Sequence, residues 1–512
     1  MLRSSNLSWK RTFCVSLDSI YNLLQDCIVK KNLDAGRRIN QLLIQDGLQS
    51  SSFMATHIVR MFSVCGSISE ATQTFVRLDF PNVYTWSAFL LAHSCTGLSV
   101  PLYHKMLQSN VRPNAYCYTA LLKACANLGS LNKGMLVHDN IVQDGLDLDL
   151  TVNNTLIDMY VKIGELANAH SVFQSSHVQN VVTWTTIITG YSVNECAFKA
   201  FQVYAQMLEK HVSPNEVTFV SIIKACPSAL EVRLVHFHVV ESSLAWNIFV
   251  GNALVGIYAE FGNIEDARFV FEHLIEKDVV TWSSMIEGYA QEGQVSEAFR
   301  LFTVMWQEVE PNKVTYVNLA KACTNMESVA SSNLIYGTVI EEGFNSDTLL
   351  GTTMIDLYAK CGCFEDANAL FKALPVRNVV TWTTMISGYA LHGNIHGALK
   401  CYSGMQEEGL KPNEATFLSL LSLCNHLGLV HKGCTFFESM VLQGVIPAVE
   451  HHHCIMDLFG RTGSLKLATV VLDSSPVTPM QSPGLRSLLS HCKAHCNVGT
   501  SELIFKQVAL EE

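Results

Sequence analysis

Four Thr-Trp dipeptides recur almost a hundred residues apart along the chain. They are Thr85-Trp86, Thr183-Trp184, Thr281-Trp282 and Thr381-Trp382, with steps of 98, 98 and 100 between successive tryptophans. Pro-Asn keeps the same rhythm at Pro113-Asn114, Pro214-Asn215, Pro311-Asn312 and Pro412-Asn413, as do Cys27, Cys125, Cys226, Cys323 and Cys424. A fixed long period points to a repeat architecture, since unrelated globular domains have no reason to share one. Each period divides into three pieces of 31 to 35 residues, as in 181–215, 216–247 and 248–278. A piece of that length holds two helices of about 12 residues and two short turns.

Inside a piece the spacing is helical. Trp184, Ile188 and Tyr191 fall at i, i+4 and i+7 and form one apolar face. Ala197, Phe201, Tyr204 and Met207 or Leu208 form a second, and a polar turn around Asn194 separates the two. In the shorter pieces the turn falls to Gly66, Gly164, Gly262 and Gly362, which tolerate the left-handed backbone that ends a helix. One hairpin this small cannot bury its apolar faces, whereas stacked neighbours can. The expected fold is therefore all-α: a right-handed superhelical α-solenoid of tandem helix-turn-helix repeats with one concave surface. Fourteen units are expected, at 17–51, 52–82, 83–114, 115–149, 150–180, 181–215, 216–247, 248–278, 279–312, 313–347, 348–378, 379–413, 414–448 and 449–479.

Composition narrows the function. Hydrophobic residues make up 49% of the 512 residues and charged residues 15%, too apolar for a disordered chain. No run approaches the roughly 18 apolar residues of a membrane span. The net charge of −11 opposes simple charge-driven nucleic-acid binding but permits a locally neutral or basic groove. Seventeen cysteines, an odd number without a secretory signal, fit a reducing compartment. The first 16 residues carry Arg3, Lys10 and Arg11 with interspersed serines and no acid, the composition of an organelle transit peptide; a frayed N-terminus is the alternative.

The pieces resemble the plant pentatricopeptide-repeat family, in its PLS subclass. VVTWTTMISGYALHGNIHGALKCYSGMQEEGLKPN (379–413) looks like the family's P type. AYCYTALLKACANLGSLNKGMLVHDNIVQDGLDLD (115–149) looks like its L type, and TLLGTTMIDLYAKCGCFEDANALFKALPVRN (348–378) like its S type. The resemblance covers essentially all of 17–479. The last triad, with VEHHH at 449–453, is similar to the family's terminal triad. Residues 480–512, with LLSHCKAHCNVG at 488–499, resemble a short E extension, although Leu485 stands where the family usually has Trp. Nothing up to Glu512 matches the family's DYW deaminase domain.

That resemblance implies RNA readout by the fifth and last residues of each repeat. Ionised Asp only accepts hydrogen bonds, which suits the ring N–H of guanine or uracil, while Asn also donates, which suits adenine or cytosine. Thr56/Asn82, Ser87/Asn114, Thr185/Asn215, Ser283/Asn312, Thr352/Asn378 and Thr383/Asn413 then imply adenine. Asn252/Asp278 implies uracil, Asn154/Asn180 a pyrimidine and Thr119/Asp149 guanine; Tyr21, Val220, Val317, Leu418 and His453 give no clear code. Read in parallel, the expected site is 5′-N-A-A-G-Y-A-N-U-A-N-A-A-N-N-3′. The second residue of a repeat would pack against the base: Val182, Val280 and Val380, with Phe53, Tyr84, Tyr116 and Phe249 elsewhere. Lys162, Lys360 and Arg461 are candidates for phosphate contacts. The competing explanation is that these short polar residues only cap helices, which accounts for polarity at each site but not for the same short menu at both positions.

No enzyme chemistry is expected. The His-x-Glu and Cys-x-x-Cys pair of a zinc deaminase does not occur. His491, Cys492, His495 and Cys496 have helical spacing compatible with metal but also match the E extension; His451–His453 fits the terminal pattern, and Cys361 and Cys363 flank a glycine turn. The expectation is no metal, no cofactor and no small-molecule substrate. The chain would be an organellar, single-stranded-RNA-binding specificity factor for C-to-U editing, mitochondrial or alternatively chloroplastic, working with a DYW-type deaminase in trans. An RNA stability, splicing or translation factor and a protein-interaction scaffold are the alternatives.

Overall fold

A computed structural model describes residues 17–45, 52–78, 80–244, 246–324, 335–339 and 347–464, with Leu467 and Val471. The expected transit peptide, the short E extension and the cysteine and histidine group near residue 491 lie outside them. Among the described residues every regular element is an α-helix. None is long and apolar enough to cross a membrane.

The helices come in antiparallel-type pairs of 9 to 14 residues, for example Val181–Val193 with Ala197–Glu209, or Thr348–Lys360 with Phe364–Ala373. The backbone divides into two compact units, Met1–Ile257 and Tyr258–Glu512. In the first, the first helices of neighbouring pairs pack side by side, as Ala115–Asn127 does with Leu150–Ile163 and that helix with Val181–Val193. In the second, Val279–Gln291, Lys313–Thr324, Thr348–Lys360, Val379–Leu391, Glu414–Leu427 and Val449–Arg461 form the same kind of row. Second helices pack on their own first helix and on the first helix that follows, as Leu166–Ser175 does with Leu150–Ile163 and Val181–Val193, and Val430–Leu442 with Glu414–Leu427 and Val449–Arg461.

The tryptophan of each Thr-Trp dipeptide explains the long period. Trp86, Trp184, Trp282 and Trp382 stand edge-on to Phe75, Phe173, Phe271 and Phe371, with ring centroids 4.7, 4.7, 4.8 and 4.5 Å apart. Each phenylalanine belongs to the second helix of the preceding pair, so the contact clamps one repeat to the next. Such a pair contributes about 0.5–1.5 kcal/mol beyond its area burial.

The apolar face expected on the first helix of 181–215 is present: Trp184, Ile188 and Tyr191 are buried. On the second helix the buried face is Ala200, Val203, Tyr204 and Met207. Ala197 and Phe201, expected there, are only half-buried. The helix is covered along one narrow seam, and the seam is rotated by about one residue from the line that sequence spacing suggests. Gly66, Gly164, Gly262 and Gly362 all adopt positive φ, between 72° and 90°. At the corresponding turn after Asn194 the left-handed residue is Glu195, with φ 58°.

Candidate nucleic-acid interface

The helix start is where the sequence puts its most repetitive polar residues. Asn180, Asn215, Asn378 and Asn413 each cap the first helix of the next repeat: the side-chain oxygen accepts from the backbone N–H three residues on, at 2.9–3.0 Å. Asn82, Asn114 and Asn312 do the same at 2.9–3.1 Å. Asp278 caps through Thr281 at 2.9 Å, and Asp149 through both Thr151 and Val152. Every last-position residue named from the sequence, from Asn82 to Asn413, is therefore a helix cap. The capping explanation is realised in full, and it leaves the polar heads partly or largely exposed.

Capping does not use the whole side chain. In Asn215, Oδ1 accepts from the Thr218 amide at 2.9 Å and from the Thr218 hydroxyl at 2.8 Å. Both lone pairs of the oxygen are committed, so the amide Nδ2 is what the side chain turns outward. Asn413 repeats this with Thr416 at 3.0 and 2.8 Å; at Asn180 the Thr183 amide donates at 3.0 Å, while the Thr183 hydroxyl lies 3.1 Å from Asn180 and closer, at 2.7 Å, to Asn154.

The fifth residues lie one helical turn in and are more enclosed. Thr185, Ser283 and Thr352 are buried, while Thr56, Ser87, Thr119, Asn154, Asn252 and Thr383 are half-buried. Thr185 meets the hydroxyl of Thr218 at 2.7 Å, Ser283 that of Thr315 at 2.8 Å, Thr383 that of Thr416 at 2.7 Å, Thr56 that of Thr85 at 2.8 Å and Thr352 that of Thr381 at 3.1 Å. Asn154 instead accepts from the Thr183 hydroxyl at 2.7 Å. Ser87 and Thr119, whose following repeats begin with Cys117 and Val152 at the third position, donate to their own helix at Tyr84 and Tyr116.

The fifth and last residues are thus brought together by a third side chain that sequence reasoning passed over. Thr85, Thr183, Thr218, Thr281, Thr315, Thr381 and Thr416 are each 0% exposed. Four of them are the threonines of the Thr-Trp dipeptides, and the others lie three residues after the Asn of a Pro-Asn. Their constant offset from the last-position residue was the available signal.

Beside these polar atoms stand the second residues. Val182, Val280 and Val380 are 49%, 55% and 58% exposed, and Phe53, Tyr84, Tyr116 and Phe249 are comparably open. Each sits in the first turn; Val182, Val280, Val380 and Tyr84 come one residue before a buried threonine, and Phe53, Tyr116 and Phe249 one residue before the buried Met54, Cys117 and Val250. An exposed apolar side chain next to an outward donor is a surface suited to a flat, edge-functionalised ligand.

Models of the PPR repeat family match residues 179–227, 277–325 and 377–426. A PPR repeat model matches 154–178, 252–279 and 352–379, and a pentatricopeptide repeat domain model matches 101–135. A mitochondrial pentatricopeptide repeat-containing protein of Arabidopsis thaliana is 33% identical over 496 residues, spanning 95% of this chain and 71% of that protein. The chain belongs to the pentatricopeptide repeat family. A chloroplastic member from the same plant is 30% identical over 94% of this chain and 61% of its own length. Among solved structures, the pentatricopeptide repeat protein PPR10 from maize superposes with a TM-score of 0.66 at 18% identity, covering 92% of this chain and 70% of that one. The same protein in complex with an 18-nucleotide psaJ RNA element gives 0.59 at 18% identity, over 96% and 78%.

Several other side chains of this pentatricopeptide repeat protein are engaged in ways that change their reading. Lys162 pairs with Asp158 at 2.8 Å and Lys360 with Asp356 at 2.7 Å, each one turn back on the same helix; Arg461 donates to the Asn425 carbonyl at 3.3 Å. These expected phosphate contacts have protein partners already. His451 is buried, taking the Ala448 N–H on Nδ1 and reaching the Glu414 carbonyl from Nε2 at 2.9 Å, so both ring nitrogens serve the fold. No cluster of three or more potential metal ligands occurs among the described residues. The periodic cysteines Cys27, Cys125, Cys226, Cys323 and Cys424 are buried and unpaired by disulfide. Burial pushes the Cys323 and Cys424 thiols up to about 11 and Cys226 to about 12, which makes them small apolar core residues rather than nucleophiles.

Proposed function

We propose that this chain binds one single-stranded RNA sequence, reading one base per repeat through its fifth and last residues. The observation that carries the reading is the recurrent first-turn arrangement: an outward amide or carboxylate, a neighbouring hydroxyl and a half-exposed apolar residue, repeated at helix after helix. Thr56/Asn82, Ser87/Asn114, Thr185/Asn215, Ser283/Asn312, Thr352/Asn378 and Thr383/Asn413 read adenine, Thr119/Asp149 guanine, Asn154/Asn180 a pyrimidine and Asn252/Asp278 uracil. Val182, Val280 and Val380 pack on base faces. The complex of maize PPR10 with RNA, on the same fold, supports this use of the surface.

The P, L and S types seen in the sequence support a finer reading. Fourteen repeats between 17 and 479 select a site just upstream of a target cytidine, and the terminal triad and E-like segment recruit a DYW-type deaminase for C-to-U editing. The basic N-terminus and the mitochondrial and chloroplastic relatives support an organellar location, mitochondrial in the first instance. An RNA stability, splicing or translation role uses the same interface without a deaminase.

The test is a fluorescence-anisotropy titration near physiological salt, with the expected RNA and a control in which the uracil and its flanking adenines are exchanged. Each disrupted base is expected to cost on the order of 1–3 kcal/mol. Equal affinity for both RNAs overturns the readout. Transcript sequencing in a loss-of-function plant then separates editing, seen as an unconverted cytidine, from a change in RNA abundance or splicing.

A further inference from the structure

We propose that for repeats 181–215 and 379–413 the buried threonine at the third position of the following repeat is a specificity-determining residue: it fixes which partner of the reading pair donates and which accepts. The inference rests on the base readout proposed above and adds the residue that sets its polarity.

The repeat 181–215 shows how. Thr218 Oγ1 lies 2.8 Å from Asn215 Oδ1, 2.7 Å from Thr185 Oγ1 and 3.3 Å from the Asn215 backbone nitrogen. A hydroxyl has one proton and two lone pairs. The Asn215 carbonyl oxygen can only accept, and its orientation is pinned by the Thr218 backbone N–H at 2.9 Å. The Thr218 proton therefore points to Asn215, and one lone pair takes the Asn215 N–H. The remaining lone pair faces Thr185, so the 2.7 Å contact requires Thr185 to donate. Every valence of Thr218 is satisfied at 0% exposure, as a buried hydroxyl should be.

The consequence lies at the surface. Thr185 has spent its only proton inward and can offer a base nothing but lone pairs. Asn215 has spent its oxygen inward and offers only N–H. The pair presents one acceptor and one donor, the complement of an amino group beside an unprotonated ring nitrogen. Adenine has that edge, N6 amino and N1; guanine presents a keto oxygen and a ring N–H in the same places. Thr383, Thr416 and Asn413 reproduce the geometry at 2.7, 2.8 and 3.3 Å, so the same polarity holds at a second repeat.

Valine matches the shape of threonine without the hydroxyl. In Thr218→Val the backbone cap on Asn215 persists, but Thr185 regains a proton to offer and Asn215 Oδ1 regains a lone pair. Both can then satisfy guanine. The experiment measures the affinity of the full chain for 14-nucleotide RNAs of the expected site carrying adenine or guanine at the sixth base, and separately at the ninth, which faces Ser283 and Asn312. Thr218→Val is expected to reduce the adenine preference about tenfold at the sixth base and to leave the ninth unchanged. Thr315→Val should do the converse, and Thr218→Ser should retain the wild-type preference. An unchanged sixth-base preference in Thr218→Val overturns the inference, as does a loss spread evenly over both positions, which marks a purely structural role. A wild-type chain that prefers neither base at either position instead overturns the readout itself.

Discussion

Asn215 and Asp278 begin their helices in the same way, each with an oxygen accepting both the amide and the hydroxyl of the threonine three residues on. What differs is the second head atom: asparagine has a donor, and a carboxylate has none. Asn215→Asp should therefore leave stability almost untouched, because aspartate caps as well as asparagine. The adenine preference at the sixth base should be lost, by roughly 1–3 kcal/mol in total, because aspartate has no donor for N1. The same anisotropy titration reads it, and thermal melting supplies the control. A variant that melts normally yet keeps its adenine preference would show that the last residue only caps.

At the scale of the helix, glycine divides into two kinds. Gly388 lies on the first helix Val379–Leu391, and a methyl group there would sit 2.5 Å from Ala359 Cβ on the neighbouring first helix, with backbone at 3.5 Å. Neither contact is a flexible chain end, so Gly388→Ala must push two helices apart, at a cost of about 1–3 kcal/mol. Gly256 lies within Ile248–Glu260 and would meet nothing within 4 Å. Gly256→Ala should stabilise by about 0.5–1 kcal/mol, the ordinary helix-propensity gain. Denaturant midpoints of the two variants check the pair, and equal effects would refute the packing argument. The helices themselves were legible in the sequence because caps, turns and apolar spacing are local and agree with one another. The pairing of Lys162 with Asp158 was also legible, as a four-residue spacing of opposite charge. The bond from Thr185 to Thr218 was not, since it joins residues 33 apart whose meeting depends on how neighbouring helices pack. The second-helix seam was misjudged for a similar reason: two overlapping stripes satisfy the same periodicity, and only the neighbour decides between them.

For the whole molecule, the net charge of −11 has to be reconciled with a polyanionic ligand. Glu265, Asp266, Glu297, Glu365 and Asp366 all lie in the first turn of second helices, where they complement the helix dipole, and not on the first helices that carry the reading residues. The first helices bring few cations of their own, and Lys162 and Lys360 are paired with aspartates one turn back on the same helix. Binding then depends on base edges and apolar contact, with little release of counterions from phosphates. For single strands the slope of log affinity against log salt is about −0.7 per phosphate neutralised. A chain using no more than about three phosphates should show a slope no steeper than about −2, against about −7 for one that neutralises ten. Titrations of the expected RNA between low and physiological salt measure it directly. A shallow slope means that the affinity remains where base discrimination is made. A steep slope would mean that cations outside the reading turns hold the RNA, and discrimination measured at low salt would then understate what the repeats can do.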